Sequence, residues 1–156
     1  MAIAKRLKWY LDHHGLCYEL VRHTRTRTSL GSVRAAHIPA GRLAKSVLLE
    51  DERGYVLAIL PASCHLDLDE IELQTRRRLE LASEAEVGDL FSDCEVGAVP
   101  AAGSAYGIPT LVEASLLRMP DVYLEGGDHE ALVHLSGMAF RALAARSARG
   151  RFSRPH

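Results

Sequence analysis

Apolar residues recur along the chain with two different spacings, and their succession predicts a mixed α/β domain. Ile3, Leu7, Tyr10 and Leu11 lie at helical spacing, so residues 3–14 read as an amphipathic helix that Gly15 stops. Residues 17–23 read as a strand. Thr28 or Ser29 is placed to cap a short helix running to about His37, which Pro39 ends because the residue before a proline avoids helical geometry. Residues 46–50 and 55–60 are apolar runs separated by acidic residues and Arg53-Gly54, the pattern of a β-hairpin, and Pro61 closes its second strand.

Further on, Ile71 and Leu73 mark a helix over 69–77, and a short strand follows at 79–82. Ser83 followed by Glu86 forms a capping box for a helix over 84–91. Residues 96–109, with Gly97, Pro100, Gly103, Gly107 and Pro109, make a long loop of small side chains. Strands are expected at 110–117, 122–125 and 131–135, with Gly126-Gly127 as a turn, and a last helix at 137–146. The Arg/Ser/Pro segment 147–156 reads as a flexible tail. Strands and helices do not alternate regularly, so a doubly wound sheet is not expected.

A length of 156 residues suits one domain with a sizeable core. At 47% apolar and 25% charged residues, the composition excludes collagenous, disulfide-scaffold and wholly disordered chains. No apolar run reaches the roughly 18–20 residues of a membrane span, and the N-terminal stretch lacks a secretory apolar core, so a cytoplasmic protein is expected. Cys17, Cys64 and Cys94 are an odd number with no C-x-x-C pair, as for free thiols in a reducing compartment.

The charge pattern changes this picture locally. A net charge of −1 argues against a protein coated with positive charge. Yet residues 20–49 contain no Asp or Glu and carry Arg22, Arg25, Arg27, Arg34, Arg42 and Lys45, whereas residues 50–72 are rich in acids. Such a switch suggests a local anion site. Lys5, Lys8 and Lys45 are the three lysines beside 16 arginines, and Lys45 alone lies beyond the N-terminal helix. It heads the apolar run Ser46-Val47-Leu48-Leu49, where an ammonium is either a snorkelling side chain or a cation held for a phosphate, carboxylate or developing oxyanion.

Other chemistry finds little support. Gly103-Ser104-Ala105-Tyr106-Gly107 is not G-x-S-x-G, and no phosphate-binding glycine motif is present. His13 and His14 are adjacent rather than four apart, unlike a zinc helix, and Cys64-His65 project differently in an extended chain. No metal or cofactor is expected. The second candidate is the loop Gly97-Ala98-Val99-Pro100-Ala101-Ala102-Gly103, whose small side chains let a ligand approach backbone N–H donors.

These segments carry a resemblance. Arg42-Leu43-Ala44-Lys45-Ser46-Val47-Leu48-Leu49, the strand Tyr55 to Pro61, Leu66-Asp67-Leu68, the loop Gly97 to Gly103 with Ile108-Pro109-Thr110, and Val122 to Gly127 resemble the YbaK/EbsC family. Its members are free-standing relatives of the editing domain in bacterial prolyl-tRNA synthetase. The resemblance covers 23–143 in order.

It implies a single α/β (mixed α+β) domain over residues 1–146, with a partly closed, barrel-like mixed sheet surrounded by helices. It also implies a hydrolase, an aminoacyl-tRNA deacylase acting on a small amino acid (Ala, Ser or Cys, on tRNA(Pro) among the options). Lys45 matches the family's functional lysine, with Ser46, Gly97, Ala98, Pro100, Ala101, Gly103 and His129 as substrate-binding residues. The proline of the family's Gly-x-x-x-Pro loop is displaced, since Pro100 stands one residue early and Ala101 takes its place. His129 sits in Asp-His-Glu rather than His-Pro.

A pocket lined by Ala98, Ala101 and Ala102 would take a small side chain. Arg22, Arg25, Arg27, Arg34 and Arg42 would meet the tRNA acceptor end, with an aminoacyl-tRNA synthetase as a further partner and neither DNA nor membrane. The competing readings are a non-catalytic aminoacyl-tRNA or nucleotide binding module, a synthetase-associated adaptor, and a hydrolase of small esters.

Overall fold

A computed structural model describes residues 3–156. The hairpin forms where expected but is longer, with β2 at Leu43–Asp51 and β3 at Gly54–Pro61. Because β3 is buried on both faces, its alternate residues feed two apolar layers. Leu57 and Ile59 join one cluster with Leu48, Phe91, Val112 and Leu124. Val56, Ala58 and Leu60 join another with Leu49, Ile71 and Phe152.

Around this hairpin the mixed sheet runs β1-β8-β7-β2-β3-β6-β9, with β5 (Glu80–Leu81) also on β2. Its other members are β1 (Glu19–Arg22), β6 (Thr110–Glu113), β7 (Asp121–Glu125), β8 (Ala131–Ser136) and β9 (Ala148–Gly150). The path has two ends, so the sheet is open, and the barrel-like closure expected from the sequence does not occur.

The helices follow their sequence signals. α1 (Lys5–His13) buries Leu7 and Leu11 and is followed by Gly15 at φ +64°. α2 (Ser29–Ala36) is capped by Thr28, whose hydroxyl accepts from the Gly31 N–H at 3.0 Å. In α4 (Glu84–Leu90) the capping box closes, Glu86 N–H donating to Ser83 Oγ at 3.2 Å and Ser83 N–H to Glu86 Oε1 at 3.0 Å. α3 (Leu68–Thr75) starts earlier than expected because Asp67 caps it, and α5 (Gly137–Leu143) is shorter.

The C-terminal segment corrects the sequence reading. Residues 147–156 are not a loose tail: β9 pairs with β6, and β10 (Ser153–Pro155) pairs with β4 (Cys64–Leu66). The cause is a buried acceptor. Glu113 ends β6, and its Oε1 accepts from Phe152 N–H at 3.0 Å, Ser153 N–H at 2.9 Å and Ser153 Oγ at 2.6 Å. There the chain leaves β6 for a 3₁₀ turn at Ala114–Arg118, so the strand expected to reach residue 117 stops short. Phe152, 1% exposed, then packs against the Leu49–Ile71 layer.

Phe152→Ala is therefore expected to cost about 3 kcal/mol of unfolding free energy in urea denaturation, whereas removing a ring from a loose tail would cost nothing measurable.

Candidate functional site

The site begins with a change of partner along β2. At Leu43 and Ala44 this strand runs parallel to β7, and at Leu49 and Glu50 it pairs with β5. The Ala82 N–H donates to the Leu48 carbonyl, so Leu48 turns its backbone toward that edge. By alternation Ser46 does the same, at a residue where neither β7 nor β5 is in register. A gap therefore opens beside Lys45, Ser46 and Val47.

A cavity of about 290 Å³ occupies this gap. Ser46, Leu48 and Leu57 line it from one face of the sheet, Val47 from the other, and Ser29 at the start of α2 closes one side. Val87 and Phe91 from the α4 segment, with Val96, Gly97 and Val99 from the loop, complete most of its wall. Ser46 Oγ donates to the Val99 carbonyl at 3.1 Å and ties the loop to the strand.

Not all of the sequence candidates meet here. Ser46 and Gly97 line the cavity, but Ala98, Pro100, Ala101 and Gly103 are buried and lie outside its lining. Ala101 and Ala102 belong to the core, so the small-residue pocket expected from the alanines is not formed by them. Gly103 serves packing: a Cβ there would meet Thr110 Oγ1 at 1.9 Å.

Lys45 flanks the cavity rather than walling it. Its side chain shares a sheet face with Leu43 and Val47, opposite Ser46. Half-buried, it has no hydrogen-bond or ion-pair partner among the described residues. Burial pushes its ammonium below the ordinary lysine value, and nearby Cys64 opposes that shift. An unpaired, partly desolvated cation is a ready anion anchor.

His129 holds the loop from behind. It is 5% exposed and adopts a left-handed backbone, φ +61°. Its Nε2–H donates to the Val96 carbonyl, which fixes the tautomer because a carbonyl can only accept. A Cβ on Gly97 would lie 3.2 Å from the ring's Cε1, a tight contact, and Gly97 itself has φ +81°. The positive φ favours glycine here, and the tight contact adds to that preference.

The arginines divide. Arg25 pairs with Glu95 at 2.7 Å and lies 3.6 Å from Glu130, and Arg42 pairs with Asp121. Arg22 ends β1 on the surface. Arg27 and Arg34 are exposed and carry no ion pair among the described residues. The Arg27 carbonyl lies 3.3 Å from the position of a Gly97 Cβ, on the side of the loop where His129 packs.

Glu125 was not anticipated. It is 1% exposed at the end of β7, one residue beyond the β2–β7 ladder, as Lys45 is on β2. Ser32 Oγ donates to its carboxylate at 3.3–3.4 Å, and no cation pairs with it among the described residues. Burial raises its carboxyl pKa to about 7 despite the Ser32 hydrogen bond, with Asp128 adding to the rise. An acid at the end of an apolar run, alternating with Leu124, was the available sequence signal. The cysteines are free, and burial pushes the Cys94 thiol to about 12, so it is a poor nucleophile. Among the described residues no acidic, His or Cys cluster is arranged to hold a metal ion, and no helix is long and apolar enough to cross a membrane.

A family model described as aminoacyl-tRNA editing domain matches residues 23–143. No curated protein matches. Among solved structures, one of a candidate trans-editing enzyme for prolyl tRNA synthetase superposes with a TM-score of 0.84 at 25% identity, covering 97% of this chain and 96% of that one. A candidate signal transduction protein from Marinobacter aquaeolei VT8 gives 0.77 at 25% identity over 95% of this chain, which spans 30% of that longer protein.

Glu125 supplies a pH test. Its folded pKa lies above the ordinary 4.5, so its contribution to stability is present below about pH 4.5 and is lost as pH rises through about 7. Glu125→Gln, which mimics the protonated form, should flatten that decline and leave the variant more stable than wild type at pH 8, by on the order of 1–3 kcal/mol. Urea titrations at pH 5 and pH 8 read the difference.

Proposed function

The chain belongs to the aminoacyl-tRNA editing domain family, and on that premise we propose that it hydrolyses the ester joining a wrongly attached amino acid to the 3′ end of a tRNA. The observation that carries this reading is the cavity in the sheet gap, apolar on one side and flanked on the other by the unpaired ammonium of Lys45. An aminoacyl-tRNA end has the matching polarity, a side chain at one end and a phosphate at the other.

In this reading the amino-acid side chain enters between Leu48, Leu57, Val87 and Phe91. Lys45 anchors the phosphate of the terminal adenosine from the far flank, and Arg27 and Arg34 meet the acceptor stem. The ester carbonyl lies at the gap, where the Ser46 N–H and the amides beside Gly97 face the oxygen that becomes negative. Water adds to the carbonyl carbon, the ribose 2′-hydroxyl relays its proton to the departing 3′-oxygen, and free amino acid and tRNA result. His129 acts by holding the Val96–Gly97 backbone in place.

The resemblance to a candidate trans-editing enzyme for prolyl tRNA synthetase supports tRNA(Pro) as the first tRNA to try, and the resemblance read from the sequence adds Ala, Ser or Cys as its amino acid and a cytoplasmic setting. Deacylation of these should lose 100-fold or more in kcat/KM in Lys45→Ala. Lys45→Arg, which keeps the charge, should retain part of the rate. Equal rates for wild type and Lys45→Ala would overturn the mechanism. Binding of the tRNA should weaken from about 50 to 200 mM salt, and Arg27→Ala should lower that salt slope by about one.

A further inference from the structure

The wall of the cavity bears on which side chain it takes. Leu48 and Leu57, a register pair, form its floor, and Phe91 and Val87 stand four residues apart along one side. Leu81 and Val96, each 63% exposed, continue the apolar surface out to the lip. The polar groups are few. Ser46 has committed its hydroxyl proton to the Val99 carbonyl, and Ser29 and Glu84 complete the lining. At about 290 Å³ the space is about twice that of an apolar cavity of about 150 Å³ that accepts benzene.

We propose that the cavity selects an aliphatic side chain of valine to methionine size over a hydroxylated or a minimal one. This rests on the deacylase reading and departs from the small residues named first there: it ranks Ala and Ser below larger aliphatic side chains as the amino acid removed. Each methylene buried between Leu48, Leu57, Val87 and Phe91 is worth about fourfold in binding. Serine or threonine would bring a hydroxyl in among these side chains, at the cost of part of its hydration. Alanine fits but leaves most of the space unfilled. Selection is therefore by apolar complementarity, with Val87 and Phe91 setting the depth.

Valine and threonine decide the matter, because they share a shape and differ by a hydroxyl. The esters of Val, Thr, Ala and Ser are prepared on one and the same tRNA, and kcat/KM is compared. Val is expected to exceed Thr by about 10–100-fold and Ala by about 10-fold or more. Val87→Phe, which fills the chamber, should bring Ala above Val, and its activity on the Ala ester shows that the variant is folded. In parallel, calorimetry measures binding of non-hydrolysable amide-linked Val- and Thr-adenosine.

Hydrolysis of all four esters with Thr, Ser or Ala equal to or above Val overturns this inference and leaves the deacylase reading standing. No hydrolysis, with the Val amide bound at least 10-fold better than the Thr amide, supports the cavity's selectivity and overturns the deacylase. Equal binding of the two amides without hydrolysis overturns both.

Discussion

A β-strand has two edges to satisfy, and β2 meets that demand with a different neighbour at each end. Parallel β7 serves Leu43 and Ala44, and antiparallel β5 serves Leu49 and Glu50. No single straight strand could lie against β2 in both directions, so the residues between are left with an open edge. In most sheets such an edge would be a liability. Here it is walled by the Val96–Val99 loop, α2 and α4, and it becomes the cavity. The strand's partner on its other side is uninterrupted, since β3 pairs with β2 from Ala44 to Asp51. The gap is thus framed by a rigid hairpin, which suits a site that must hold its geometry.

The loop that closes the gap is fixed by interactions that are costly to leave unmade. His129 accepts a left-handed backbone and burial of its ring, and in exchange its Nε2–H satisfies the Val96 carbonyl. Gly97 is shaped by that same ring and by the Arg27 carbonyl. Strain of this kind persists where surrounding structure over-determines it, and here it is concentrated behind the cavity. Glu125 is a second such expense. Its carboxyl is buried with a hydroxyl donor and, among the described residues, no paired cation, so near neutral pH it is divided between charged and neutral forms.

The hairpin, α1, α2, α3 and α4 were legible because each carries a local signal: apolar runs parted by a turn, helical spacing, or a cap such as Thr28 or Ser83. What escaped was nonlocal. Nothing near Phe152 in the chain reveals that Glu113, some forty residues earlier, will bind its backbone, so β9 and β10 read as a tail. The alternation of Lys45 and Ser46 onto opposite faces follows from the strand itself. The gap that lets both flank one cavity depends on where β5 and β7 dock. The alanines misled for the same reason: small residues next to glycine look like ligand space, and Ala101 and Ala102 are instead core packing beneath the loop.

The near-neutral net charge acquires a specific meaning from these placements. Ion pairing with Glu95 and Asp121 engages Arg25 and Arg42, whereas Lys45 beside the gap, Arg27 just before α2 and Arg34 on α2 carry no ion pair among the described residues. On the proposed reading, a tRNA is gripped at its acceptor end and across little of its body. Affinity for any one tRNA is then modest, because few phosphates are neutralised and few counterions released. Discrimination must come from the amino acid instead. That division fits a second sieve, which gains nothing from holding every tRNA tightly and much from a pocket that reads the side chain. Recognition is therefore split between two neighbouring features. On that reading the apolar chamber reads the side chain, and Lys45 at its flank holds the common 3′ end to which any amino acid is attached.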